Sequence, residues 1–235
     1  MTNIVMIAKG RPRLTTQALN SIYEKEHDAY SLVIVDDGSS APWNPFTPDS
    51  LEVQLPRFTM SYRAIFLRLS RSKGIVGLAR NIGASVSEQY WGRGDFLCFL
   101  DNDVAITNPH WLELLACSLE LNQKVKILGG CQHPYHGTNQ SLDAYGASVH
   151  VTDAVAGYSL FMRWETWDKY GPFPANQPGI GASEDFALCR RVVDDGGLVG
   201  YINPPVLAHC GITNTDGKPA TGADQFKRVE GLLYE

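Results

Sequence analysis

Short apolar runs rich in β-branched or aromatic residues occupy positions 3–8, 32–36, 64–69 and 95–100. Runs of this length without alternation predict strands buried on both faces of a sheet. Between them the apolar spacing changes to that of a helix. Leu14, Ala18 and Ile22 recur every four residues, as do Leu78, Ile82 and Val86, while Leu112, Leu115 and Leu119 form a third stripe behind Pro109, which suits a first helical turn. The connection around "APWNPFTPDSLEVQLPRF" is proline-rich and reads as irregular. Strands alternating with helices predict an α/β domain with a mainly parallel central sheet and right-handed crossovers. Ligands bind such sheets beyond the carboxyl ends of the strands.

The second half changes character. Residues 129–181 are rich in Gly, His, Tyr and Trp, with a strand expected at 158–162. The next helix is expected at "SEDFALCRRVVDD", with Ser183 as its cap, Leu188 and Val192 facing inward, and Gly196-Gly197 ending it. We read the chain as one domain: a nucleotide-binding half over 1–104, an acceptor-side half over 105–211, and a polar tail over 212–235 that suits a mobile lid with a short terminal helix.

Composition narrows the partners. At 235 residues and 44% hydrophobic, the chain is long enough to bury a sizeable core. Its net charge of -5, with no Lys/Arg stripe, disfavours nucleic acid and offers no footprint for an anionic membrane. The five cysteines are odd in number and lack C-x-x-C spacing, so they read as reduced core thiols. "MTNIVMIAKG" is apolar for too few residues to act as a signal or membrane span, and the expectation is a cytoplasmic protein.

The chemistry concentrates at strand ends. "VIVDDGSS" carries Asp36 and Asp37 past the second strand, and "FLCFLDNDVA" carries Asp101 and Asp103 past the fourth. Either pair alone is an ordinary turn. Two pairs at one edge repel unless a cation or donor groups compensate them, which points to a divalent metal. Asp103 with His209, from "VLAHCG", suits Mn²⁺ or Mg²⁺, and the nitrogen ligand favours Mn²⁺; a satisfied, partly buried histidine is the other reading of His209. His133 and His136 in "CQHPYHG" have a weaker claim, as lining for a polar cleft.

Glu184 and Asp185 begin a helix, where acids favour the dipole in any protein; the functional reading makes Asp185 a general base. Arg71, Lys73 and Arg80, in "LSRSKGIVGLARNIG", suit nucleotide phosphate or pairing with the acids. Trp164, Trp167, Tyr135 and Tyr158 are aromatic surfaces for a sugar face or, more commonly, core.

In their order along the chain these segments resemble a family 2 glycosyltransferase of the GT-A fold. The resemblance rests on "VMIAKGRPRLTTQALNSI", "VIVDDGSS", "GIVGLARNIG", "FLDNDV", "LFMRWETWDKYGPFP", "SEDFALCRRVVDDGG" and "PPVLAHCG". It implies that Asp37 contacts the nucleotide base, Asp101 the ribose side, Asp103 and His209 the metal, and that Asp185 is the catalytic base. Arg80, Arg71 and Lys73 are read as nucleotide contacts, and Glu184 and Trp164 as acceptor-side residues. The family often has Tyr-Asn where this chain has Gly10-Arg11.

The implied reaction is metal-dependent, inverting transfer of a sugar from a nucleotide-sugar, a UDP-sugar by this reading, to the hydroxyl of a carbohydrate or other acceptor. With no Q-x-x-R-W motif or membrane helices, a processive synthase is not expected. A sugar nucleotidyltransferase and a noncatalytic nucleotide-sugar-binding module are the alternatives; the first needs a glycine-rich loop after strand one, and Gly10 stands alone there.

Overall fold

A computed structural model of the chain describes residues 1–25, 29–39, 63–70, 75–131, 140–144, 146–174 and 184–210. The proline-rich connection, His27, Arg71, Lys73, His133, Tyr135, His136, Ser183 and the tail over 212–235 lie outside these residues.

Strands β1 (Thr2–Ala8) and β2 (Tyr30–Asp36) are buried along their whole length, and β4 (Phe96–Asp101) along all but its last residue. With β3 (Arg63–Arg68) they form the parallel half of a nine-stranded sheet ordered β3-β2-β1-β4-β9-β6-β10-β8-β7. Registers fix the chemistry of its edge: β1 pairs Ala8 with Asp36 on one side and Ile7 with Asp101 on the other. The two acid-bearing ends therefore flank β1 at one level, roughly 10 Å apart by strand spacing.

The other half contains β6 (Val125–Gly129), β7 (Gln140–Ala144), β8 (Ala147–Thr152), β9 (Ser159–Arg163) and β10 (Leu198–Asn203). β9 runs antiparallel to β4, with Leu100 opposite Ser159. The residues just before β9 thus sit beside the end of β4. A second, two-stranded sheet pairs β5 (Val104–Ile106) with β11 (Leu207–His209).

Alternation along β1 sends Ile4 and Met6 to one face and Val5 and Ile7 to the other. The first face is covered by α1 (Pro12–Lys25) and α3 (Trp111–Leu121). The second packs α2 (Val76–Trp91), α4 (Trp164–Tyr170) and α5 (Glu184–Asp194). Leu14, Ala18 and Ile22, and Leu112, Leu115 and Leu119, are buried as their spacing predicts.

Helix α2 differs. Its buried face is Gly77, Ala79, Arg80, Gly83, Ala84 and Ser87, and the Leu78, Ile82 and Val86 stripe is only half-buried. The reason is close approach: a Cβ on Gly83 would lie 2.3 Å from Val5 Cγ1. The helix backbone presses on β1 with its smallest residues, which leaves depth for one long side chain, Arg80.

Candidate active site

The turn after β1 carries Gly10 and Arg11, both with positive φ (61° and 53°). Only glycine adopts that region without cost, so Arg11 is held there by its surroundings. Asn102 locks this turn to the end of β4, its Nδ2 donating to Thr15 Oγ1 (2.8 Å) and to the Gly10 carbonyl (3.4 Å). Arg11 Nη1 then donates to Asp103 Oδ2 at 2.9 Å.

His209 arrives through the small sheet. Pairing of β11 with β5 sets it opposite Val104, and the Cys210 amide donates to the Asp103 carbonyl at 2.6 Å. His209 Nε2 consequently faces Asp103 Oδ1 at 3.3 Å, while its ring stacks on Tyr158 with centroids 4.3 Å apart. Burial pushes the Asp103 carboxyl upward, but the His209 imidazole and Arg11 guanidinium outweigh it and hold Asp103 below the ordinary carboxylate range.

A second cluster is built on Arg80, whose side chain is 1% exposed. Its Nη2 donates to Asp101 Oδ1 (2.8 Å) and to the Gly157 carbonyl (2.7 Å), and its Nη1 to Glu184 Oε1 (3.0 Å). The Gly157 amide donates to Asp185 Oδ2 at 2.6 Å, and the Tyr158 carbonyl accepts from the Asp101 amide. One dipeptide thereby ties Asp101, Arg80 and Asp185 together. Burial raises the Asp101 carboxyl above its ordinary range; Arg80 opposes the rise and Asp103 adds to it.

Toward β2, Asp36 accepts from the Ser39 hydroxyl and amide, and Arg68 Nε lies 3.7 Å from its other oxygen. Lys9 Nζ is 3.9 Å from Asp37, which is buried.

The structure thus brings Asp37, Arg80, Asp101, Asp103, Glu184, Asp185 and His209 to one sheet edge, and it bears on two readings. Arg80 reads from the sequence as a nucleotide contact or as a partner of the acids, and the structure shows the second: it is enclosed and its terminal nitrogens are engaged by the acids and Gly157. It shapes Asp101 and Glu184 from beneath. Trp164, expected on the acceptor side, follows β9 at the opposite edge, buried, with Nε1 donating to Asn3 Oδ1 at 2.7 Å. Its antiparallel strand carries it away from the acids. Gly157 and Ser39 join the site, as does Arg11, marked in the sequence only as a departure from the family's Tyr-Asn, and Tyr158 enters as the support of His209 and not as an open sugar platform. The sequence signal common to them was position beside a strand end.

Repulsion among the acids no longer requires a metal, because Arg11, Lys9, Arg68 and Arg80 each neutralise a carboxylate. One atom pair still suits a metal. Asp103 Oδ1 is buried with no well-aligned hydrogen bond, and the group it faces is His209 Nε2 at 3.3 Å. Two cis ligands of an octahedral ion with bonds of about 2.1 Å lie about 3 Å apart, so this pair fits a small divalent cation. Among the described residues no group of three or more His, Cys, Asp or Glu side chains could hold a metal, so its other ligands would come from substrate or water. No described helix is long and apolar enough to cross a membrane.

Comparison with known folds agrees with this architecture. S. aureus TarS residues 1–349 superpose with a TM-score of 0.59 at 16% identity over 88% of this chain. The same fragment in complex with UDP gives 0.57 at 16% identity over the same share. Mannosyltransferase PcManGT from Pyrobaculum calidifontis, in complex with GDP-Man and Mn²⁺, gives 0.61 at 14% identity over 87% of this chain. The chain spans 59% of the TarS fragment in either form and 54% of the mannosyltransferase. No curated protein matches the sequence. The model of glycosyl transferase family 2 matches residues 3–197, and the chain belongs to that family.

Proposed function

We propose that the chain transfers a sugar from a nucleoside-diphosphate donor to a hydroxyl acceptor with inversion, using a UDP-sugar and a divalent cation, Mn²⁺ or Mg²⁺, at Asp103 and His209. The observation that carries this reading is the Gly157–Arg80 cluster, which holds Asp101 at the end of β4 and Asp185 at the start of α5, beside the Asp103–His209 pair. The UDP and GDP-Man with Mn²⁺ in the neighbours' structures support a nucleotide-sugar donor and a divalent ion. When bound, the metal supplies a Lewis acid for the departing diphosphate.

Asp185 provides the base. It accepts amide hydrogens from Gly157 and Phe186, which hold its carboxylate in place, and the remaining lone pairs take the acceptor's hydroxyl proton. Attack from the face opposite the leaving group is a single displacement and inverts the anomeric centre. Asp37 accepts the N3–H of uracil; a cytosine would leave that carboxylate facing an acceptor nitrogen, at a cost of about 1–3 kcal/mol.

Release of UDP from UDP-sugars and of GDP from GDP-sugars, measured with Mn²⁺ and with excess EDTA, tests the reading. Turnover should need the metal, and Asp185→Asn should keep nucleotide affinity while losing about 10²-fold or more in rate. Pyrophosphate release would indicate a nucleotidyltransferase, and binding without turnover a noncatalytic module.

A further inference from the structure

Arg11 occupies the ground a divalent cation would share. Its guanidinium sits on Asp103 Oδ2 at 2.9 Å, while buried Oδ1 of the same carboxylate makes no well-aligned hydrogen bond and faces His209 Nε2 at 3.3 Å. The Asp103 side chain is only 9% exposed, whereas that of Arg11 is 43% exposed. The carboxylate is fixed and the guanidinium has room to leave. Arg11 also stands in the left-handed region immediately before α1, whose first turn contains no acid and whose N-terminus favours an anion. Backbone held in that region by a non-glycine residue often marks a ligand clamp.

We propose that Arg11 is an exchangeable counter-cation. It neutralises Asp103 until a divalent ion binds, and with an ion held on the His209 side its guanidinium would turn to the donor's diphosphate. The electrostatics favour an exchange of this kind. An arginine stays protonated at any working pH, so a +1 and a +2 charge on one small carboxylate repel. The repulsion is relieved when phosphate oxygens arrive beside both. Metal and donor therefore bind more tightly together than apart, and Arg11 is the residue that couples them.

This rests on the metal reading of Asp103 and His209, and the test separates the two. Arg11→Asn removes the charge with a residue that tolerates the left-handed backbone. Mn²⁺ titration of nucleotide-free protein, followed by electron paramagnetic resonance, should show metal binding about three- to tenfold tighter in Arg11→Asn than in the parent, and lost in Asp103→Asn. With saturating Mn²⁺, UDP or GDP should bind Arg11→Asn more weakly than the parent, while uridine and guanosine bind both alike. Unchanged or weaker Mn²⁺ affinity in Arg11→Asn, with binding still dependent on Asp103, overturns the exchange and leaves the metal site standing. Absence of Asp103-dependent Mn²⁺ binding in either protein, with or without nucleotide, overturns both. Equal affinity of Arg11→Asn and parent for both diphosphates overturns the transfer to phosphate.

Discussion

Replacing Arg80 with methionine removes the charge on which the acid cluster depends and keeps much of the side-chain volume. The change strands Asp101 and Glu184 and leaves the Gly157 carbonyl without its guanidinium donor. Breaking a buried ion pair by removing one partner costs about 3–5 kcal/mol. Here the Asp101 side chain keeps 33% exposure and Glu184 15%, so water recovers part of the loss, and about 2–4 kcal/mol is expected. At about 2–4 °C per kcal/mol for a chain of this size, the melting temperature falls by about 4–16 °C.

The pH dependence has a definite sign. Asp101 already titrates above its ordinary range because of burial, and Arg80 restrains that rise. Without Arg80 the folded state binds a proton still more readily than the unfolded chain, so stability increases as pH falls toward the carboxylate range. Melting curves of metal-free parent and Arg80→Met at pH 5, 6, 7 and 8 should show the deficit largest at pH 8 and smallest at pH 5. Arg80→Met/Glu184→Gln, which removes one stranded charge, should recover about 1 kcal/mol. A variant melting within about 2 °C of the parent, or a deficit that grows in acid, would refute the claim that Arg80 is the cluster's counter-charge.

Gly157→Ala would place a Cβ 2.8 Å from Arg80 Nη1 and 3.1 Å from Asp185 Oδ2, with Arg80 too enclosed to withdraw. Donor turnover should fall at least tenfold for a stability loss of only about 1–3 kcal/mol, and an alanine variant of parental activity would remove Gly157 from the site. Burial encloses Cys98, lifts the thiols of Cys131 and Cys210 to about 11 and of Cys189 to about 12, and raises Cys117 as well, but only Cys117 is half-buried, so iodoacetamide at pH 8 should label it alone among the five cysteines. Peptide mapping before and after unfolding checks this, and native labelling of Cys131 or Cys189 would show that the core opens.

How much of this was legible depends on how local each signal is. β1, β2 and β4 could be read because burial on both faces leaves an uninterrupted apolar run, and α1 and α3 because an ordinary helix stripe meets the sheet. β7 could not, since "QSLDA" lies largely exposed at the sheet's outer edge and has no apolar face to betray it. α4 is seven residues long, too short to establish a period. α2 misled for a more specific reason. Its apolar stripe is genuine, but small residues permit a closer approach than large ones, and the sheet took the Gly83 face.

The site divides along the same line. Acids at strand ends were visible because a buried strand that stops on a carboxylate is conspicuous and the parallel register aligns those ends. The cations that neutralise them were harder to place, because each comes from elsewhere: Arg80 lies 21 residues from Asp101 and Arg11 lies 92 from Asp103. For Arg80 the sequence leaves nucleotide contact and pairing with the acids both open, because nothing local shows that a glycine-faced helix leaves a cavity for it. Sequence therefore identifies which charges are present more readily than which are already satisfied. That distinction separates the two arginines. Arg80 is enclosed by the protein groups it binds and shapes the site from within. Arg11, on an exposed turn with one bond to one carboxylate, is the cation that an incoming ligand can displace.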